Sequence, residues 1–140
     1  MSVSKKLIST IKALKKGVYE RLSSDGDLLN RVNEIAEEID KNVKFPFVVI
    51  GSANATEFSS KTSAGQDVSL TLHTWSDYPG DLEVLEIHEL ILKAISREPI
   101  NVGDDLEISL ARLDSEEVIK NIDNRTRQGI LIFRFIIMEV

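Results

Sequence analysis

Two side chains in this sequence are suited to moving a proton near neutral pH, His73 and His88. Brought together with carboxylates in one cleft, they would make a small acid–base enzyme. Their local patterns point elsewhere. His73 lies in Val68-Ser69-Leu70-Thr71-Leu72-His73, where apolar and polar residues alternate, so it falls opposite the core face or at its edge. His88 falls on the apolar face of a helix, where an imidazole is ordinarily packed or hydrogen-bonded. Glu86-Ile87-His88-Glu89 has neither the second histidine nor the spacing of a zinc-protease helix. Asp104-Asp105 and Asp123 lack a calcium-loop pattern. Gly51-Ser52-Ala53 is not followed by the Gly-Lys-Ser/Thr of a phosphate loop, and no serine sits in a Gly-x-Ser-x-Gly elbow. The chain has no cysteine, which removes disulfides, thiolate metal sites and a thiol nucleophile together, and fits a reducing cytoplasm. Glu37-Glu38 and Glu116-Glu117 read as solvated surface. No catalytic, cofactor-binding or metal site is expected.

What must position these residues is a chain of 140 amino acids, 42% apolar and 29% charged, the profile of a single globular domain. It reads as residues 1–140 in one unit: a basic N-terminal helix over 1–23, then a sheet, a central helix and C-terminal strands over 45–140. No apolar run has the length of a membrane span, and the first residues lack the apolar core of a signal peptide. The net charge of −6 is unevenly placed. Residues 1–22 carry six basic side chains and one acidic, the remainder eleven and twenty-two. The basic end is either a solvated amphipathic helix or a surface that meets an acidic neighbour. So acidic a body is unsuited to gripping nucleic acid.

The pattern predicts a helix over 4–22, from Leu7, Ile8, Ile11, Leu14, Val18 and Leu22, with Ser4 as its cap and Lys5, Lys12 and Lys16 together on its outer face. Ser23 to Asp27 is a turn. A second helix is expected over 27–39, although Ile35 and Ile39 fit a short strand as well. Val48–Ile50 reads as a buried strand and Glu57–Lys61 as another. Thr62 to Gly65 is a turn needing positive φ at Gly65, and Gln66–Ser76 is a strand. Residues 52–65, which include Phe58 and Lys61, suit a hairpin arm projecting from the sheet, or a plain surface hairpin. Trp75 and Tyr78 close this stretch; Trp75 is an interface anchor or ordinary sheet packing. Asp81 to about Arg97 forms a helix with Val84, Leu85, His88, Ile91, Leu92 and Ile95 on one face, widened by Ile87, Leu90 and Ala94. Leu106, Ile108 and Leu110 alternate as a strand. Residues 112–128 read as a charged loop with a hairpin tip at Asp123-Asn124-Arg125. Gly129 to Met138 is apolar on both faces apart from Arg134, so it should lie centrally in the sheet. The fold class is α+β: a mostly antiparallel sheet of four to five strands, backed by two main helices, with a projecting hairpin.

Phe45-Pro46-Phe47-Val48-Val49-Ile50-Gly51, then Lys61-Thr62-Ser63-Ala64-Gly65-Gln66-Asp67-Val68, Leu72-His73-Thr74-Trp75-Ser76 and Thr126-Arg127-Gln128-Gly129-Ile130-Leu131-Ile132-Phe133-Arg134, resemble the tail-completion proteins of long-tailed bacteriophages and prophages. These are also called tail-terminator or head–tail joining proteins. The likeness covers most of residues 35–135 and rests on the order and spacing of several segments. Two features depart from the family pattern: the pronounced basic first helix, and a Glu-rich Ile35–Asp40 where relatives have an extended stretch with a proline.

The resemblance implies a non-enzymatic structural protein. It implies a ring of identical subunits, typically six, at the head-proximal end of the tail tube in the virion. The subunits are made in the bacterial host cytoplasm, and each is a monomer or part of a ring when alone. Implied partners are the tail-tube protein and the head–tail connector, with DNA passing through the lumen without specific binding and no membrane involved. On this reading Lys5, Lys12, Lys16, Phe58, Lys61, Trp75 and Tyr78 are expected at subunit or partner interfaces. A prophage-encoded interaction module working as a monomer or dimer is the alternative, and a small enzyme using His73 or His88 is a third.

Overall fold

The structure, a computed structural model, describes residues 9–59 and 63–140. The elements are α1 (Thr10–Ser23), α2 (Gly26–Leu29), β1 (Ile35–Ala36), β2 (Phe47–Glu57), β3 (Gly65–Ser76), α3 (Leu82–Ser96), β4 (Leu106–Lys120) and β5 (Arg127–Glu139). The five strands form one sheet in the order β1-β2-β3-β5-β4. Only β1 runs parallel to its neighbour; the other pairings are antiparallel. This is the expected α+β fold, with α1 and α3 as its main helices.

The helices cover one face of the sheet. Along β3, Val68, Leu70, Leu72, Thr74 and Ser76 are buried under them, while Asp67, Ser69, Thr71, His73 and Trp75 point the other way, as a period of two requires. Leu14, Val18 and Leu22 of α1 and Ile87, Ile91, Ala94 and Ile95 of α3 recur at steps of three and four. They pack with Leu28 onto Val48, Ile50, Val68, Leu70, Leu72, Leu131, Phe133, Phe135 and Ile137. Gly17 lets α1 lie directly on the following connection, because a Cβ there would run into the Asn101 carbonyl and Ile100. Arg21 closes the end of α3. Its guanidinium donates to the carbonyls of Ala94 at 2.7 Å and of Glu98 and Pro99 at 3.0 Å, groups that a helix end leaves open.

Several expected boundaries shift. Among the described residues α1 opens at Thr10, with the Ser9 side chain accepting from the Lys12 amide, so Ser9 holds the capping position expected of Ser4; Ser4 and Lys5 lie outside the described residues. The helix expected over 27–39 is one short turn, capped by Asp25 onto the Leu28 amide; Ile35-Ala36 is instead a strand paired with Val48-Val49. Burial of Val32 and Ile35 explains the helix-like spacing, since Val32 faces the core from the connecting segment and Ile35 from β1.

In place of separate strands at 48–50 and 57–61 there is one strand, β2, which runs through the residues between them and ends at Glu57, kinked by a bulge between Ile50 and Ala53; Phe58 and Ser59 are not in a strand, and residues 60 and 61 lie outside the described residues. It pairs with β3 as far as Glu57 opposite Gln66, and the tip of the expected projecting arm, residues 60–62, lies outside the described residues. Gly65 begins β3 and does not take positive φ; the positive-φ glycines are Gly80 and Gly103. A Cβ at Gly65 would meet Met138 on β5.

Residues 112–120, expected as loop, belong to the 15-residue edge strand β4, and only the tip around Asp123–Arg125 matches the prediction, with Asn124 at φ 65°. β5 lies between β3 and β4, as its two-sided apolar character requires. In α3, Leu85 is exposed, not on the buried face, and Leu82 is 60% exposed.

Candidate interaction surfaces

The two imidazoles occupy opposite faces of the sheet. His73 is on the outer face, where its Nδ1 accepts from the Gln128 side-chain amide at 3.0 Å and its ring lies against Gly51, which has no side chain to displace it. His88 is fully buried between α3 and the strands. Its Nδ1 donates to the Glu116 carboxylate at 2.8 Å, and its Nε2, without a hydrogen-bond partner, lies against Gly129, where a Cβ would collide with it. Burial holds the pKa of both below the ordinary histidine value; for His88 the Glu116 carboxylate opposes that shift without cancelling it. Each histidine is a packing residue tying elements together: His73 joins β3 to β5, and His88 joins α3 to β4. A shared cleft with converging acids is not formed between them.

The outer face of the sheet is uncovered by helices, and two arrangements organise it. Trp75 stacks on Phe47 across β3 and β2, with ring centroids 6.5 Å apart, and Phe47 meets Phe45 at 5.2 Å. Trp75 is therefore half-buried in an aromatic row. Farther along, Asp67 on β3 and Arg134 on β5 are diagonal neighbours, opposite Ile136 and Ser69 respectively, with Arg134 Nε 2.8 and 2.9 Å from the two carboxylate oxygens and its Nη2 also bonded to Asp67. Hydrogen bonding to Arg134 holds the Asp67 pKa below the usual carboxylate range, and Asp67 raises that of Arg134 in turn. The sequence shows Arg134 as the odd charge in an apolar run, but its partner is brought alongside only by the β3–β5 register.

Of the residues expected at interfaces, Lys12 and Lys16 are exposed on α1 and, among the described residues, form no ion pair, whereas Lys15 reaches Glu37 at 3.3 Å. Phe58 and Tyr78 are exposed at 46% and 47%. Lys5 and Lys61 lie outside the described residues. The lysines, the aromatic row and Phe58 are separate features, not one site. Sequence reasoning passed over Ile119 and Ile122, on β4 and its following tip, and set Leu110 on one face with Leu106 and Ile108; the bulge between Ile108 and Leu110 breaks that alternation, and Leu110, Ile119 and Ile122 are all exposed apolar side chains. The tip is fastened to the start of α3, with Arg125 donating to the Asp77 carbonyl at 3.1 Å and Arg127 to Asp81 at 3.0 Å.

The described residues thus present a sheet covered by helices on one face and exposed side chains dispersed over several surfaces. The family model described as tail completion protein gp17 matches residues 16–138, and the chain belongs to that family of bacteriophage virion proteins. It is similar to the tail completion protein gp17 of Bacillus phage SPP1, with 30% identity over 126 residues covering 90% of this chain and 92% of that one. The solved structure of the bacteriophage SPP1 gp17 protein superposes with a TM-score of 0.68 at 27% identity, covering 96% of this chain and 95% of that one. A chain in the virion of a native gene transfer agent particle gives a TM-score of 0.82 at 16% identity, covering 94% and 98%; at that identity the likeness is one of fold.

Proposed function

We propose that this tail-completion protein closes the head-proximal end of the tail tube as a ring of identical subunits, six by the family resemblance, and joins the tail to the connector of the filled head. The observation that carries the reading is the extent of the family match: residues 16–138 take in β1 to β4, α2, α3 and nearly all of β5. The acidic balance, a net charge of −6, supports a lumen that DNA crosses without being held, since an acidic wall avoids pairing with the phosphates. The separation of His73 and His88 on the two faces of the sheet supports a role in which no bond is made or broken. The interface residues proposed for subunit, tube and connector contacts are Lys5, Lys12, Lys16, Phe58, Lys61, Trp75 and Tyr78; those among the described residues are spread over separate surfaces, as contacts to several neighbours require. No described helix is long and apolar enough to cross a membrane, in keeping with protein partners alone.

Omitting the chain during particle assembly tests this function. DNA-filled heads and unjoined tails are expected to accumulate, and adding the purified protein is expected to restore joined particles. Normal head–tail joining in its absence would overturn the proposal.

A further inference from the structure

A groove of about 540 Å³ runs along the outer flank of α1 beside residues 101–103. Gly17 fixes how closely its two walls approach, since α1 rests there on the backbone of Asn101. Ala13 and Val102 supply apolar lining, while Lys12 and Lys16 are exposed and free of ion pairs among the described residues; Glu20, one turn beyond Lys16, is the one acidic side chain in the lining, which leaves the groove basic on balance. At the far edge of the sheet, β4 presents a surface of the opposite character. The register sets Ser115, Glu117 and Ile119 opposite Ile132, Ile130 and Gln128, all on the outer face. Glu117 is exposed, Ile119 is 37% exposed, and Asp114 stands beside them, bonded to Arg112 at 3.0 Å. Glu116 turns the other way and is held by His88, which anchors this part of the strand against α3. Bulges between Ile108 and Leu110 and between Leu113 and Ser115, with charges along the strand, disfavour extending the sheet by direct strand addition. Contact through side chains is left.

The two surfaces lie on opposite sides of the sheet: the groove is in the helix layer, where α1 packs over β1, β2 and β3, whereas the Ser115–Ile119 face belongs to the uncovered side of β4, the outermost strand beyond β5. Two different complementary patches on one subunit make a head-to-tail contact, the kind that closes into a ring. We infer that the Asp114–Ile119 face of β4 on one copy seats in the α1 groove of the next copy, with Asp114 and Glu117 meeting Lys12 and Lys16 and Ile119 covering Ala13 and Val102. This contact rests on the ring reading above and gives that ring its subunit interface.

Imaging tails assembled with variant chains tests it. The Lys12→Glu/Lys16→Glu variant and the Asp114→Lys/Glu117→Lys variant should each lower the fraction of ring-bearing tails about tenfold at low salt. The deficit should shrink as salt screens the repulsion. The fourfold variant, which exchanges the two charge sets, should regain the wild-type fraction. Lys12→Gln/Lys16→Gln reads the same contact should a reversed variant fail to melt as a folded protein. Wild-type ring formation by either folded double variant, or by the glutamine variant, would overturn the inference, and so would a folded fourfold variant that stays impaired. Wild-type tails without rings would overturn the ring reading itself and this contact with it.

Discussion

Thr74 carries a buried hydroxyl with no hydrogen-bond partner, on the helix-covered face of β3 opposite Gly129. Thr74→Val keeps the shape and removes the unsatisfied group, so it should stabilise the protein by about 1 kcal/mol, read from urea midpoints. His88 sets a pH dependence. Its folded-state pKa is depressed, chiefly by burial, so below about pH 6.5 the unfolded chain binds a proton that the folded chain resists. The stability associated with a neutral His88 should be complete above about pH 6.5 and decline as pH falls toward the lower folded value. Replacing His88 by Gln should flatten that slope in pH-dependent melts; an unchanged slope would refute the assignment. His73 contributes with the same sign, and Asp67, depressed by Arg134, adds its own loss only at more acid pH, below about 3.9.

Among the elements, α1 illustrates close packing that outweighs propensity. Alanine forms helix better than glycine by about 1 kcal/mol. At position 17, however, a methyl group would press on the Asn101 carbonyl, so Gly17→Ala should destabilise by about 1–3 kcal/mol in thermal or urea unfolding. The elements with strong periodicity were legible from the sequence: α1 from Leu14, Val18 and Leu22, β3 from Val68, Leu70 and Leu72, and the inner position of β5 from its two-sided apolar run. β4 was not, beyond its first residues. As an edge strand with most side chains in solvent, it is free to carry Arg112, Asp114, Glu116, Glu117 and Lys120, which erases the alternation that marks a strand. β1 stood only as an alternative to a helix, at Ile35, because two residues cannot show a period, and β2 was cut short because its bulge breaks the alternation at Ser52. The exposed lysines could be named from helical spacing. The Asp67–Arg134 fork and the His88–Glu116 bond could not, because each depends on a pairing that only the folded chain creates.

At the scale of the whole molecule, a sheet with helices on one face carries exposed lysines on α1 in the helix layer and exposed acidic side chains on its edge strand β4. That asymmetry suits head-to-tail assembly, and family membership ties the assembly to the phage tail. High-resolution imaging of the head–tail junction in joined particles tests the account most directly. The account predicts a closed ring of identical copies of this fold between tube and connector, with an open path for DNA along its axis. A single copy per tail, or none at that junction, would contradict it.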